Sequence, residues 1–228
     1  GPRRLDPDTG ELLLSTTYTQ IDAAPLDTAR DTATDGLVVH PIRETPVYDD
    51  PGGRAIARMP QSQFGDTWLP VIGQQVGWVQ VLLPSKPNSS TGWLRADDVA
   101  DARTPYLIKV HLATKKLDLV KDGVVVDTWK AGTGTAAAPT PAGRTFLLGA
   151  FTDKKQSYSP VILPLGAHSP THDTFGGGPG TVAITPGQRR VFGTASSDGC
   201  IRIPRDALDK LARCRWHARS DHGRLIRE

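Results

Sequence analysis

The chain has 228 residues, 38% of them hydrophobic and 22% charged, with a formal net charge of +3. That length supports one large domain or two small ones, and no apolar run approaches the ~18–20 residues that a helical membrane span needs. Acidic and basic residues are interspersed, so no nucleic-acid-binding stripe stands out, although the segment from Arg205 to Arg227 is mildly basic.

Two cysteines make no disulfide framework and supply no Cys-rich metal site, so neither a metal nor a cofactor is expected. Gly1-Pro2 resembles the scar of a cleaved tag, which leaves the cell compartment open.

In chain order, residues 1–35 are rich in Thr, Asp and Ala with little periodicity. They read as a tether or loosely packed arm, with "TYTQI" as a candidate edge strand. Residues 36–101 alternate short β-type runs with turn signals: "LVVHP", "PVYDDPGGRAIARM", "WLPVIG", "GWVQVLL" and "TGWLRADDV". Gly52-Gly53 predicts a hairpin. Five or six short strands in so short a stretch suggest a small all-β barrel. Trp68, Trp78 and Trp93 suit either a ligand groove or its core. "DARTP" (Asp101 to Pro105) reads as a linker. A second β-rich region, 104–228, follows. It opens with "YLIKVHLATKKLDLVKDGVVVDTWK", where Asp122-Gly123 predicts another hairpin. "SPVILPLGAH" and "GTVAIT" read as strands, 204–214 as a helix, and "GRLIR" as a last strand. The fold class is mainly β, with one or two helices.

The chemistry concentrates in "SSDGCIRIP", Ser196 to Pro204. A thiolate is a strong nucleophile when its pKa is lowered or a base stands near. Gly199 permits a tight bend that brings backbone N–H groups together, an arrangement suited to an oxyanion. A helix following the turn would favour the thiolate. Cys214, in "ALDKLARCRW", reads as a buried helical thiol.

This turn resembles the S-x-G-C-[IV]-R motif of the L,D-transpeptidases with a YkuD-type catalytic domain. "TPAGRTF" resembles that family's T-P-x-G-x-F stretch. "FGGGPGTVAI" resembles its glycine-rich approach to the histidine-bearing strand, and "PRDAL" the start of its next helix. "GWVQVLLP…STGWLRADDV" resembles the closing strands of bacterial SH3-like domains, which gives an SH3-like β-barrel over 36–101 ahead of the catalytic domain over 104–228. The resemblance implies that Cys200 attacks a peptidoglycan stem tetrapeptide and passes the acyl group from its thioester to an amine, forming 3→3 crosslinks. The N–H groups of Gly199 and Cys200 would hold the oxyanion. Arg202 and Ser197 match the motif, and Gly177, Asp198 and Thr185 would border the substrate. It also implies acylation by carbapenem β-lactams and export to the bacterial cell envelope, with a signal peptide or lipid anchor expected upstream.

The pattern breaks at the base. Thr185 stands where the family carries its catalytic histidine, and the loop onward to Cys200 is shorter. A threonine takes no proton from a thiol at neutral pH. Asp198 occupies the place of a second, non-essential histidine. His172, followed by Asp173, and His168 are candidates for a relocated base; their i, i+4 spacing lacks the helix and third ligand of a metal site. Arg189 and Arg190 lie in the shortened loop. Two rival readings remain: a non-catalytic wall-binding homologue, and an L,D-carboxypeptidase using the same cysteine.

Overall fold

The computed structural model describes residues 11–151, 161–175, 178–214 and 216. Among them the architecture is mainly β, as the residue pattern predicts. The first unit is a seven-stranded sheet built from β1 (Leu37–Pro41), β2 (Thr45–Tyr48), β3 (Ala55–Met59), β4 (Leu69–Gln75), β5 (Trp78–Leu82), β6 (Thr91–Arg95) and β7 (Val99–Arg103). Its order is β3-β2-β6-β5-β4-β1-β7, antiparallel throughout. Gly52, at φ +73°, makes the β2–β3 turn. "DARTP" departs from its linker reading. Its first three residues complete β7, which pairs along all of β1 from Leu37↔Arg103 to Pro41↔Val99. Tied backbone hydrogen bonds outweigh a polar, mobile-looking composition.

The second unit starts with the meander β8 (Tyr106–His111), β9 (Lys116–Lys121) and β10 (Val124–Lys130). Asp122 (φ +50°) and Gly123 (φ +80°) form the two-residue left-handed turn that "DG" predicts. Then come β11 (Thr133–Gly134), β12 (Leu163–His168), β13 (Thr174–Phe175), β14 (Gly178–Pro179), β15 (Thr181–Pro186), β16 (Ala195–Ser197) and β17 (Ile201–Ile203). β15 lies between antiparallel β12 and parallel β17, and β11 runs parallel to β16. Helix α1 (Arg205–Arg213) buries Ala207, Leu208 and Leu211, an i, i+1, i+4 stripe. The predicted strand "GRLIR" lies outside the described residues, as do residues 1–10.

Residues 11–35 are not a loosely packed arm. Ile21 and Ala24 enter the core of the first sheet, and Ser15 and Thr17 are fully buried. The apolar residues are sparse, so their burial leaves no periodic trace. Within "TYTQI" the described structure shows a single isolated bridge, Gln20 to Lys86, rather than a strand. The two cores also interlock. Phe146 and Leu148 pack into the first core, while Leu147 between them packs into the second. An extended segment sends alternate side chains to opposite faces, so this one straddles both. Trp68, Trp78 and Trp93 are all buried: Trp68 in the main core, Trp78 and Trp93 with Tyr48 in a cluster of their own.

Candidate functional site

Cys200 sits between β16 and β17. The turn there is closed from inside by Ser197, whose side chain is buried. Its hydroxyl donates to the Cys200 carbonyl at 2.6 Å and accepts the Gly199 N–H at 3.2 Å. Ser197 is therefore a turn-capping hydroxyl. Gly199 has φ +118°. An added Cβ would have room, with Pro139 O at 3.6 Å and Val182 Cγ2 at 3.8 Å, so backbone conformation is what requires glycine. The Gly199 carbonyl accepts from Thr140 Oγ1 at 2.8 Å, and Thr140 Oγ1 itself accepts the Gly134 N–H at 2.9 Å.

Two expectations change. The Gly199 N–H is engaged by Ser197, so Gly199 and Cys200 do not present a free pair of oxyanion donors here. The following helix does not reach the sulfur either, because β17 separates Cys200 from Arg205.

Cys200 is a free, half-buried cysteine. Burial pushes its pKa above the ordinary thiol value; the Ala183 N–H and the Arg202 charge pull down, Asp198 pushes up, and burial prevails. Ala183 is delivered by strand register: Ile184 pairs with Ile201 and Thr185 with Arg202, which sets Ala183 beside Cys200. Arg202 is fixed by a backbone pair with Gly132, at 2.7 and 2.9 Å. Asp198 is exposed, and Thr185 is half-buried. So Cys200, Ser197, Asp198, Gly199, Arg202 and Thr185 come together, whereas Gly177 lies outside the described residues.

Neither His168 nor His172 joins them. Among the described residues no histidine hydrogen-bonds Cys200. His168 is buried, with Nε2 on the Thr17 carbonyl at 2.9 Å. His172 is half-buried in the loop after β12, and its backbone N–H donates to Ser169 Oγ. Asp173, read as an orienting carboxylate, faces Lys86 Nζ at 3.4 Å instead. Arg189 and Arg190 are exposed in a 3-10 turn. Cys214 is a separate free thiol, half-buried at the end of α1, with its own pKa raised by burial. Among the described residues no group of three His, Cys, Asp or Glu side chains could hold a metal ion, and no helix is long and apolar enough to cross a membrane.

Thr140 is the site residue whose role the sequence did not disclose. "TPAGRTF" flagged its segment, but only the fold brings it to Gly199. A cavity of about 230 Å³ lies next to it, walled by Val182, Ile184 and Ile201 with Arg30 and Arg144 among its lining; Cys200 does not line it.

Residues 105–214 match the family model for the L,D-transpeptidase catalytic domain, YkuD. That segment is thus identified as a YkuD-type L,D-transpeptidase catalytic domain, the domain of an acyltransferase family. Among solved structures, an L,D-transpeptidase from Mycobacterium smegmatis is similar over 65% of this chain and 89% of its own, at 12% identity and a TM-score of 0.39. The L,D-transpeptidase LdtMt1 in complex with imipenem is similar over 99% of this chain and 97% of its own, at 14% identity and a TM-score of 0.40. No curated protein matches the chain.

Proposed function

We propose that the chain is a peptidoglycan L,D-transpeptidase of the bacterial cell envelope, with Cys200 as nucleophile and a reduced rate at neutral pH. The Cys200 thiolate attacks the carbonyl carbon of the third residue of a stem tetrapeptide, at its amide bond to the fourth. The C–N bond breaks, the terminal D-Ala leaves as an amine after gaining a proton, and a thioester remains. The side-chain amine of a second stem then attacks the thioester, expelling the sulfur as thiolate and forming a 3→3 crosslink. Arg202, with Thr185 and Asp198 around it, borders the peptide in this reading. The observation that carries it is a free, half-buried Cys200 inside an intact S-x-G-C-I-R turn whose register sets it beside Ala183.

The rate is reduced because, among the described residues, no imidazole meets the sulfur, and burial favours the neutral thiol. A general base contributes roughly a hundred- to ten-thousand-fold. His172 is the remaining source of a relocated base, and equal acylation rates in His172→Ala and the parent remove it. The seven-stranded unit resembles an SH3-like module, and we assign it wall binding or substrate positioning. Export, with a signal peptide or lipid anchor upstream, belongs to the same reading.

The test is incubation with a carbapenem followed by intact mass. An adduct that Cys200→Ala abolishes supports the enzyme, and no adduct after prolonged incubation rejects it. The raised thiol pKa and the missing base favour a second reading, a wall-binding homologue without turnover; stem-peptide binding without an adduct identifies it. If a tetrapeptide is trimmed but no crosslink forms in the presence of an acceptor amine, water resolves the thioester and the protein is an L,D-carboxypeptidase.

A further inference from the structure

We propose that Thr140 is the positioning residue of the cysteine turn, and that the N-terminal segment holds Thr140 in place through Asp27. The proposal rests on the reading of Cys200 as nucleophile for its importance, but not for its geometry.

The Gly134 N–H can only donate, so it takes a lone pair of the Thr140 hydroxyl. The hydroxyl's single proton is then free to go to the Gly199 carbonyl, which can only accept. Thr140 thereby ties β11 to the peptide just before Cys200. No Cβ fits at Gly134, where it would lie 2.2 Å from Ala138 O and 2.6 Å from Thr140 N, so the loop returns tightly onto β11.

The same loop is gripped from its other end. Arg144 donates through Nε to Asp27 Oδ2 at 2.6 Å and through Nη2 to Asp27 Oδ1 at 2.8 Å. Its Nη1 reaches the Thr32 carbonyl at 2.9 Å, and its backbone N–H the Arg30 carbonyl at 2.8 Å. The Arg144 and Asp27 side chains are 7% and 3% exposed. This is a buried bidentate pair, in which removing one partner strands the other charge. Positions 27 and 200 are thus joined by the Asp27–Arg144 pair, the loop backbone from Arg144 back to Thr140, and the Thr140–Gly199 hydrogen bond.

What the clamp sets is the sulfur's surroundings. Held as it is, the turn keeps Sγ half-buried beside the Ala183 N–H. A released turn hydrates the sulfur and loses the aim. Undirected alkylation therefore speeds up, while directed acylation slows.

The experiment is iodoacetamide alkylation of the whole chain at neutral pH, with Cys200 and Cys214 followed separately by peptide mass. Thr140→Val raises the Cys200 rate about fivefold, the equivalent of one ordinary hydrogen bond, and leaves Cys214 unchanged. Thr140→Ser restores the parent rate. Asp27→Asn shifts Cys200 in the same direction as Thr140→Val. A parent-like Cys200 rate in Thr140→Val overturns the positioning role. So does a parallel rise at Cys214, which reports general loosening. A parent-like rate in Asp27→Asn overturns the part played by the N-terminal segment. Alkylation requires no turnover, so these outcomes are independent of whether a carbapenem acylates the protein.

Discussion

His168 donates from Nε2 to the carbonyl of Thr17, 151 positions earlier in the chain, at 2.9 Å. A carbonyl only accepts, so this bond places the proton on Nε2; Nδ1 is buried with no hydrogen-bond partner among the described residues. The ring is thus committed to joining the N-terminal segment to β12, beside a Thr17–Thr181 hydroxyl contact.

That contact makes stability depend on acid. Burial lowers the His168 pKa, the Thr17 bond opposes, and the Lys86 charge adds to the lowering. The folded value lies below the unfolded one, so the unfolded chain takes up the proton first as pH falls. The contribution is complete above about pH 6.5 and is lost below it. The stability gap between the parent and His168→Gln, measured by urea unfolding, should narrow from about pH 7 to about pH 5. A constant gap would mean that His168 does not titrate differently in the two states.

The mainly β class, the hairpins at Gly52 and Asp122-Gly123, and the helix near 204–214 were legible because they rest on local signals: alternation, turn residues, and the i, i+4 stripe. The cysteine turn was legible because Ser197, Gly199 and Arg202 sit within a few residues of Cys200. The contacts that tie the units together were not. Thr140 reaches Gly199 across 59 positions and Arg144 reaches Asp27 across 117. Contacts over such separations leave no period in the sequence. The N-terminal segment misled for the same reason: a few buried residues in a polar stretch look like a tether until their partners are in place. Gly199's engaged N–H was equally hidden, because whether Ser197 faces in or out is decided by the turn's geometry.

Phe146 carries the join between the two cores. It is 1% exposed, packs with the first sheet's apolar residues, and lies over Gly166, where a Cβ would fall 2.5 Å from its ring. Truncating so buried an aromatic leaves a cavity as well as losing transfer energy. Phe146→Ala should lower stability by about 3–5 kcal/mol. Chemical denaturation followed by tryptophan fluorescence measures it, and both units should unfold earlier. A loss confined to one unit would show that the cores are energetically separate.

Thr185 offers the sharpest test of the missing base. It follows Ala183 by two residues on β15, so their side chains share a face. The parallel register sets Cys200 against Ala183 and Arg202 against Thr185. An imidazole at 185 would therefore emerge on the side where the sulfur lies. In the parent, burial holds the thiol's pKa above its ordinary value. Carbapenem acylation should accordingly keep accelerating beyond about pH 8.5, where a free thiol is half-ionised. In Thr185→His the imidazole can take the proton, so acylation at neutral pH should rise by about tenfold or more, within the range of a positioned base. The acceleration should also move down towards the imidazole range, about pH 6.5. Stopped-flow acylation across pH measures both effects. Superimposable profiles for parent and variant would mean that proton removal from Cys200 does not limit the reaction, and the absence of a base would then explain nothing about its rate.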